Sequence, residues 1–228
     1  PPPAGRQLAL RSTLRHALRY GGEWIVRRRR QRRSRPTDLV VICDISGSMA
    51  RYARMLLHFL HALGARRSGV HAFVFGTRLT NISWALRNRD VDRALDAVSR
   101  TVPDWSGGTH IGACLREFNR QWARRVLGRG AVVLLITDGL DAGEGADLGA
   151  EMKRLRASCR SIVWLNPLLR FERFQPRARG IVEMLPYVDR FLSAHNLASL
   201  VDLGRALDAL PAAGTPRLSP ATETTRWK

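Results

Sequence analysis

The sequence predicts an α/β fold: a mostly parallel sheet with helices on both faces and an antiparallel strand at one edge. Three observations predict it. Continuous apolar runs such as Leu39-Val40-Val41-Ile42-Cys43 and Ala131 to Ile136 are what strands covered on both faces require. Stretches with apolar residues three and four apart alternate with these runs, the order of crossover units that join parallel strands. The loops beside the strongest strands hold oxygen side chains next to glycines, at the end of the sheet where such folds bind ligands.

The elements follow in order. Leu10, Leu14 and Leu18 recur among arginines, so residues 8 to 26 read as a short amphipathic helix broken by Gly21 and Gly22. Arg27 to Pro36 is charge and a proline, which reads as a linker or exposed strap. The Leu39–Cys43 strand runs through Asp44 and a Ser/Gly loop into a helix over Tyr52–Leu63, with Met55, Leu56, Phe59, Leu60 and Leu63 on one face. Val70–Phe75 is the next strand, with Thr77–Trp84 folding back as the edge. A helix over Val91–Arg100 leads to the loop Pro103–Gly108 and a helix over Ile111–Arg125. The strand Ala131–Ile136 ends at Thr137-Asp138-Gly139. Leu148–Ala157 reads as a helix, Ser161–Leu165 as a strand stopped by Asn166-Pro167, Ile181–Leu185 as a further strand and Asn196–Leu210 as a closing helix.

A chain of 228 residues, 45% hydrophobic, is long enough to bury a sizeable core, which excludes disorder throughout. Its net charge is +19, and Lys153 and Lys228 are its only lysines. Residues 1–36 hold eleven arginines against Glu23 alone, so a very basic arm precedes a moderately basic body, residues 37–210, and a tail, residues 211–228. No run approaches the ~18 apolar residues of a membrane span, and no apolar stretch follows the early arginines as a signal peptide requires. Cys43, Cys114 and Cys159 show neither disulfide-scaffold nor zinc spacing and read as reduced thiols, so a cytoplasmic location is expected. The chain opens on Pro1 rather than Met, which leaves room for an upstream piece.

Three loops carry the chemistry. They read Asp44-Ile45-Ser46-Gly47-Ser48, Ser106-Gly107-Gly108-Thr109 and Thr137-Asp138-Gly139. Hydroxyls with a few carboxylates suit a hard cation such as Mg²⁺, and Mn²⁺ accepts the same set. If Ser46, Ser48 and Thr109 bind directly while Asp44 and Asp138 act through water or hydroxyls, the direct protein ligands are neutral. The ion then stays electrophilic toward an outside carboxylate.

These residues resemble the metal-ion-dependent adhesion site (MIDAS) of von Willebrand factor A (VWA) domains, with DxSxS at Asp44–Ser48, the later Thr109 and TDG at Thr137–Gly139 in order. The resemblance narrows at Arg35-Pro36-Thr37-Asp38, Trp164-Leu165-Asn166-Pro167, Pro186 to Phe191 and His195-Asn196-Leu197, which are similar to the CoxE-like family, named after a carbon monoxide dehydrogenase accessory factor. It covers roughly Arg11 to Leu210. It implies a VWA fold and a non-enzymatic, Mg²⁺-binding adaptor. Such an adaptor works with a MoxR-type AAA+ ATPase in maturing a molybdenum hydroxylase or another metalloenzyme, and captures an acidic side chain of the ATPase or client. Trp105, His110 and Gly139 are the candidate partner-binding residues at the metal rim; Trp105 reads equally as a rim anchor or a core residue, and His110, directly after Thr109, reads first as a bystander facing solvent.

Other readings fare less well. A haloacid dehalogenase-type phosphohydrolase needs a second acid where Ser46 stands, and no GxxxxGK[ST] or nucleophile elbow occurs. Gly143, Gly145 and Gly149 do not form GxGxxG and share their loop with Asp141, Glu144 and Asp147. His58 and His61 lack a third ligand nearby. Arg27, Arg28, Arg29, Arg30, Arg32 and Arg33 form a basic block suited to nucleic acid or an anionic membrane surface. Trp24 is the only nearby ring able to stack and no nucleic-acid module is present, so a solvated strap or a contact with an acidic partner is the preferred reading. Nucleic-acid binding through the arm is the alternative function.

Overall fold

The computed structural model describes residues 7–8, 29–30, 37–88, 90–102, 108–128, 130–143, 147–170, 178–193 and 203. The chain divides into two compact units, Pro1–Arg35 and Pro36–Lys228. In the first, β1 (Gln7–Leu8) pairs antiparallel with β2 (Arg29–Arg30). Arg29 and Arg30, read as part of a linker or exposed strap, thus pair in a short ladder, which needs no apolar side chains. Leu8, read as the start of a helix, is likewise a strand residue. The rest of that helix, and Arg27, Arg28, Arg32 and Arg33, lie outside the described residues.

The second unit is built on a six-stranded sheet. Its strands are β3 (Leu39–Asp44), β4 (Val70–Phe75), β5 (Leu79–Asn81), β6 (Val132–Ile136), β7 (Ser161–Asn166) and β8 (Arg190–Ser193), in the spatial order β5-β4-β3-β6-β7-β8. Every neighbouring pair is parallel except β4–β5, the antiparallel edge the sequence predicts. The unbroken apolar runs are explained by burial on both faces: every residue of β3 and β6 is buried.

Alternate side chains of each strand feed two cores, as the two-residue period of a strand dictates. Leu39, Val41, Cys43, Leu134 and Ile136 pack with α1 (Ala50–Arg66) and Val98 of α2 (Val91–Thr101). Val40, Ile42, Phe73, Leu135 and Trp164 pack on the other face with α3 (Ile111–Glu117), α5 (Leu148–Ser158) and α6 (Arg179–Met184). Asp90 starts α2 by accepting the Asp92 and Arg93 N–H groups, and Asp147 starts α5 by accepting that of Ala150. Between α3 and the short α4 (Ala123–Val126) lies a π-helical turn, Phe118–Trp122. It lets Phe118 and Trp122 both meet Phe73 edge-on, at centroid distances of 5.2 and 5.3 Å.

One element departs from the expectation. Ile181–Leu185, read as a strand, belongs to α6 and a following 3₁₀ turn, Leu185–Tyr187. Ile181 and Met184, three apart, are buried while Val182 and Leu185 are exposed, a helical rather than an alternating pattern. The sixth strand is instead Arg190–Ser193, held by Asp189, whose carboxylate accepts the Ile162 N–H at 2.8 Å and pairs with Arg156 at 2.7 Å. Of the predicted closing helix only Leu203 is described; it is helical and buried. No helix among the described residues is long and apolar enough to cross a membrane.

Candidate metal centre

The chain reverses its direction of travel across the sheet between β3 and β6. After β3 it moves outward to β4 and β5, then returns to the other side of β3 as β6. At such a switch point the loops leaving the two strands diverge and open a crevice at their C-terminal ends. Asp44 ends β3, and Thr137 and Asp138 follow β6 directly.

Asp44 is fully buried and joins the two loops. Its Oδ1 accepts the Ser46 N–H at 2.8 Å, which turns the chain toward α1. Its Oδ2 accepts the Thr137 hydroxyl at 2.7 Å, a bond across 93 residues of sequence. The Thr137 Oγ1 in turn accepts the Gly139 N–H at 3.1 Å. Asp138, also buried, accepts the Leu140 N–H at 3.0 Å through Oδ1, and its backbone carbonyl accepts the Asn166 side-chain amide at 3.0 Å. The Ser46 and Ser48 hydroxyls are 3.3 Å apart, Ser46 buried and Ser48 exposed.

Thr109 comes from the second loop and is buried. Its carbonyl accepts the Ala142 N–H at 2.9 Å, and the Asp141 carboxylate accepts the Ile111 N–H at 2.9 Å, so the second and third loops are tied together at the start of α3. The His110 N–H donates to the Gly76 carbonyl at 2.9 Å. Trp105 and Ser106 lie outside the described residues. His61 and His58 do not converge on an ion: His61 is buried with its Nε2 2.7 Å from the Asn88 carbonyl, and His58 is exposed.

Electrostatics distinguish Asp44 from an ordinary surface acid. Burial pushes the Asp44 carboxyl up to about 6; hydrogen bonds from Ser46 and Thr137 oppose the shift, and the nearby Asp138 charge adds to it. None of the ion pairs among the described residues involves Asp44 or Asp138. Two buried acids within each other's field, without a basic partner among those residues, form an environment that a divalent cation relieves. Among the described residues no three His, Cys, Asp or Glu side chains converge. An ion here would have to draw on hydroxyl as well as carboxylate oxygen, a hard donor set of the kind that suits Mg²⁺ or Mn²⁺.

Gly139 adopts φ +80°, and a Cβ there would lie 2.7 Å from Ile181 Cγ1 and 2.9 Å from Trp164 Cζ2. Only glycine meets both constraints. Trp164 is held in place because its indole N–H donates to the Thr137 carbonyl at 2.9 Å. Sequence reasoning missed Asp141, Asn166 and Trp164 as supports of the loops. Asp141-Ala142-Gly143 does carry a local signal, an Asp whose carboxylate accepts the N–H two residues on, at 3.1 Å.

A family model described as VWA domain containing CoxE-like protein matches residues 1–200. No curated protein matches significantly. Among solved structures, proximal thread matrix protein 1 from the mussel byssus is similar, with 16% identity and a TM-score of 0.52 over 76% of this chain and 47% of that one. The pilus adhesin SpaC from Lactobacillus rhamnosus GG has 15% identity and a TM-score of 0.53 over 78% of this chain and 30% of its own. BatB from Bacteroides thetaiotaomicron has 15% identity and a TM-score of 0.50 over 75% of this chain and 97% of its own. At such identities the likeness is one of fold. The chain spans about half the length of the mussel protein, another structure of which has a zinc-occupied MIDAS motif.

Proposed function

The chain belongs to the family of VWA domain containing CoxE-like proteins, and from that membership and the loop geometry we propose that it is a Mg²⁺-dependent, non-enzymatic adaptor of the cytoplasm. It recruits or works with a MoxR-type AAA+ ATPase in the maturation of a metalloenzyme, carbon monoxide dehydrogenase or a related molybdenum hydroxylase. The observation that carries the reading is the junction of Asp44 and Thr137 beside Asp138, buried carboxylates at the switch point with no basic partner among the described residues. The zinc in the MIDAS of the mussel protein, which shares the fold, supports a metal at the corresponding loops.

In this reading Ser46, Ser48 and Thr109 present hydroxyl oxygens to the ion, while Asp44 and Asp138 orient hydroxyls and water around it. Mg²⁺, when bound, offers an open position to a carboxylate from the partner. Asp44 holds Thr137 and the Ser46 backbone in fixed positions, so the donors are set before the ion arrives. Ser46 stands where a phosphohydrolase of related layout would need a second acid, which favours capture over hydrolysis.

The test is recovery of partners from cell extract in Mg²⁺ and in EDTA, with Asp44→Ala as control. An AAA+ ATPase or metalloenzyme retained only with Mg²⁺ and Asp44 is the expected result. Retention that ignores EDTA but is lost with high salt or nuclease would overturn it in favour of nucleic-acid binding through the arginine arm.

A further inference from the structure

We infer that Trp164 and Asn166 of β7 are positioning residues for the metal centre: together they fix the backbone of Asp138 and so set the direction of its carboxylate. The inference rests on the metal reading of the three loops. It gives the Trp164-Leu165-Asn166-Pro167 run, until now only a mark of the family resemblance, a part in ion binding.

The sheet runs out of main-chain donors at this point. β6 and β7 pair in register up to Ile136 and Leu165, and the Thr137 N–H still donates to the Leu165 carbonyl at 3.2 Å. In a parallel ladder the Thr137 carbonyl would next accept from the main-chain nitrogen of residue 167, which is Pro167 and has no N–H to give. Thr137 and Asp138 are nonetheless buried, so their carbonyls need other partners.

Two side chains of β7 supply them. The Trp164 indole N–H donates to the Thr137 carbonyl at 2.9 Å, and the Asn166 side-chain amide donates to the Asp138 carbonyl at 3.0 Å. Standing two apart on one strand, Trp164 and Asn166 lie on the same face and reach successive carbonyls. Those carbonyls belong to the peptide groups on either side of the Asp138 Cα. Each peptide group is planar, so holding both fixes φ and ψ of Asp138, and with them the direction of its Cβ. The Leu140 N–H, donating to Asp138 Oδ1 at 3.0 Å, then orients the carboxylate itself.

Both donors are themselves anchored. The Trp164 ring packs on Phe191 at a centroid distance of 4.6 Å. Asn166 is fully buried, and its Oδ1 accepts the Leu168 N–H at 2.8 Å while its Nδ2 serves Asp138. An amide alone matches that pair of partners with one donor and one acceptor. For packing alone a leucine of similar size would serve, without the cost of burying a polar group.

The experiment uses the full chain and Mg²⁺ as the only ligand. Urea unfolding in EDTA measures stability, and calorimetric titration with Mg²⁺ measures affinity in the folded protein. Asn166→Leu removes the bond to Asp138, and Trp164→Phe removes the indole N–H but keeps a ring against Phe191. Each should weaken Mg²⁺ binding about tenfold. Asp189→Ala is the control: it loosens the other end of β7 at Ile162, so it should lower stability and leave Mg²⁺ affinity unchanged. If Asn166→Leu does not fold, Trp164→Phe decides alone. Losses below about threefold in the folded variants overturn the positioning role and leave the metal reading standing. A loss in Asp189→Ala as large as theirs also overturns it, because binding would then follow the stability of β7 in general. No Mg²⁺ binding by the unaltered chain overturns the metal reading and this inference with it.

Discussion

Replacing Gly139 by alanine tests whether the third loop is as tightly determined as its geometry implies. Two costs combine. Alanine at φ +80° pays the left-handed penalty of an L-residue, about 1–2 kcal/mol. Its methyl group would also stand 2.7 Å from Ile181 Cγ1 and 2.9 Å from Trp164 Cζ2. Neither neighbour is the free end of a flexible surface chain. Both are buried, and the Trp164 indole is fixed by its bond to the Thr137 carbonyl, so relief requires backbone movement. Overpacking of that kind costs about 1–3 kcal/mol. The sum is about 2–5 kcal/mol, a large part of a typical domain's stability. Urea unfolding in EDTA measures it apart from metal binding, and with a slope of about 2 kcal/mol per molar the midpoint should fall by about 1–2.5 M. Gly108→Ala is the control: it sits in the second loop, where a Cβ meets nothing within 4 Å, and should change stability by less than about 0.5 kcal/mol. A Gly139→Ala midpoint within about 0.3 M of the unaltered protein would refute the reasoning.

Further outcomes follow from the same geometry. The folded carboxyl of Asp44, at about 6, lies above the ordinary value of 3.8, so folding draws in a proton. Without divalent ions, this group's cost to stability is absent below 3.8, grows as pH rises and is complete above about 6. Stability measured against pH in EDTA should fall over that window, and Asp44→Asn should remove that component; a profile identical to the parent's would count against it. Mg²⁺ affinity should weaken as pH drops through about 6, because the proton competes for the same group. Burial raises the Cys43 thiol and pushes that of Cys114 up to about 12, and Cys159 is buried too. A thiol reagent at pH 8 should therefore label none of the three until denaturant is added, and early labelling of any would contradict their placement. Asp189→Ala removes both the Arg156 pair and the acceptor of the Ile162 N–H, so it should cost about 1.5–3 kcal/mol in urea unfolding, more than Arg156→Ala.

The strands were legible because both their faces are covered. A strand buried on one side alternates and competes with loop and helix readings, whereas β3 and β6 are unbroken apolar runs. The failures occur at the margin of the sheet for the same reason. β8 alternates between exposed and half-buried residues over four positions and leaves a faint pattern. Ile181–Leu185, with Ile and Val adjacent, has strand-like composition; the close approach of Gly180 to Gly139 and the pocket beside Trp164 favour a helix that buries Ile181 and Met184. The π turn at Phe118–Trp122 is likewise a response to Phe73, 45 residues before Phe118.

By itself the sequence determined the fold class, because burial on both sheet faces demands apolar runs and their alternation with amphipathic stretches demands crossovers. It also displayed the oxygen side chains of the three loops, since residue type and spacing are local properties. Only the tertiary structure decided that Asp44 bonds Thr137 across 93 residues, that Asp141 ties the third loop to α3, and that Gly139 must admit Ile181 and Trp164. Those facts depend on which strands become neighbours and how closely backbones approach, and packing settles both through contacts between residues that no local pattern connects.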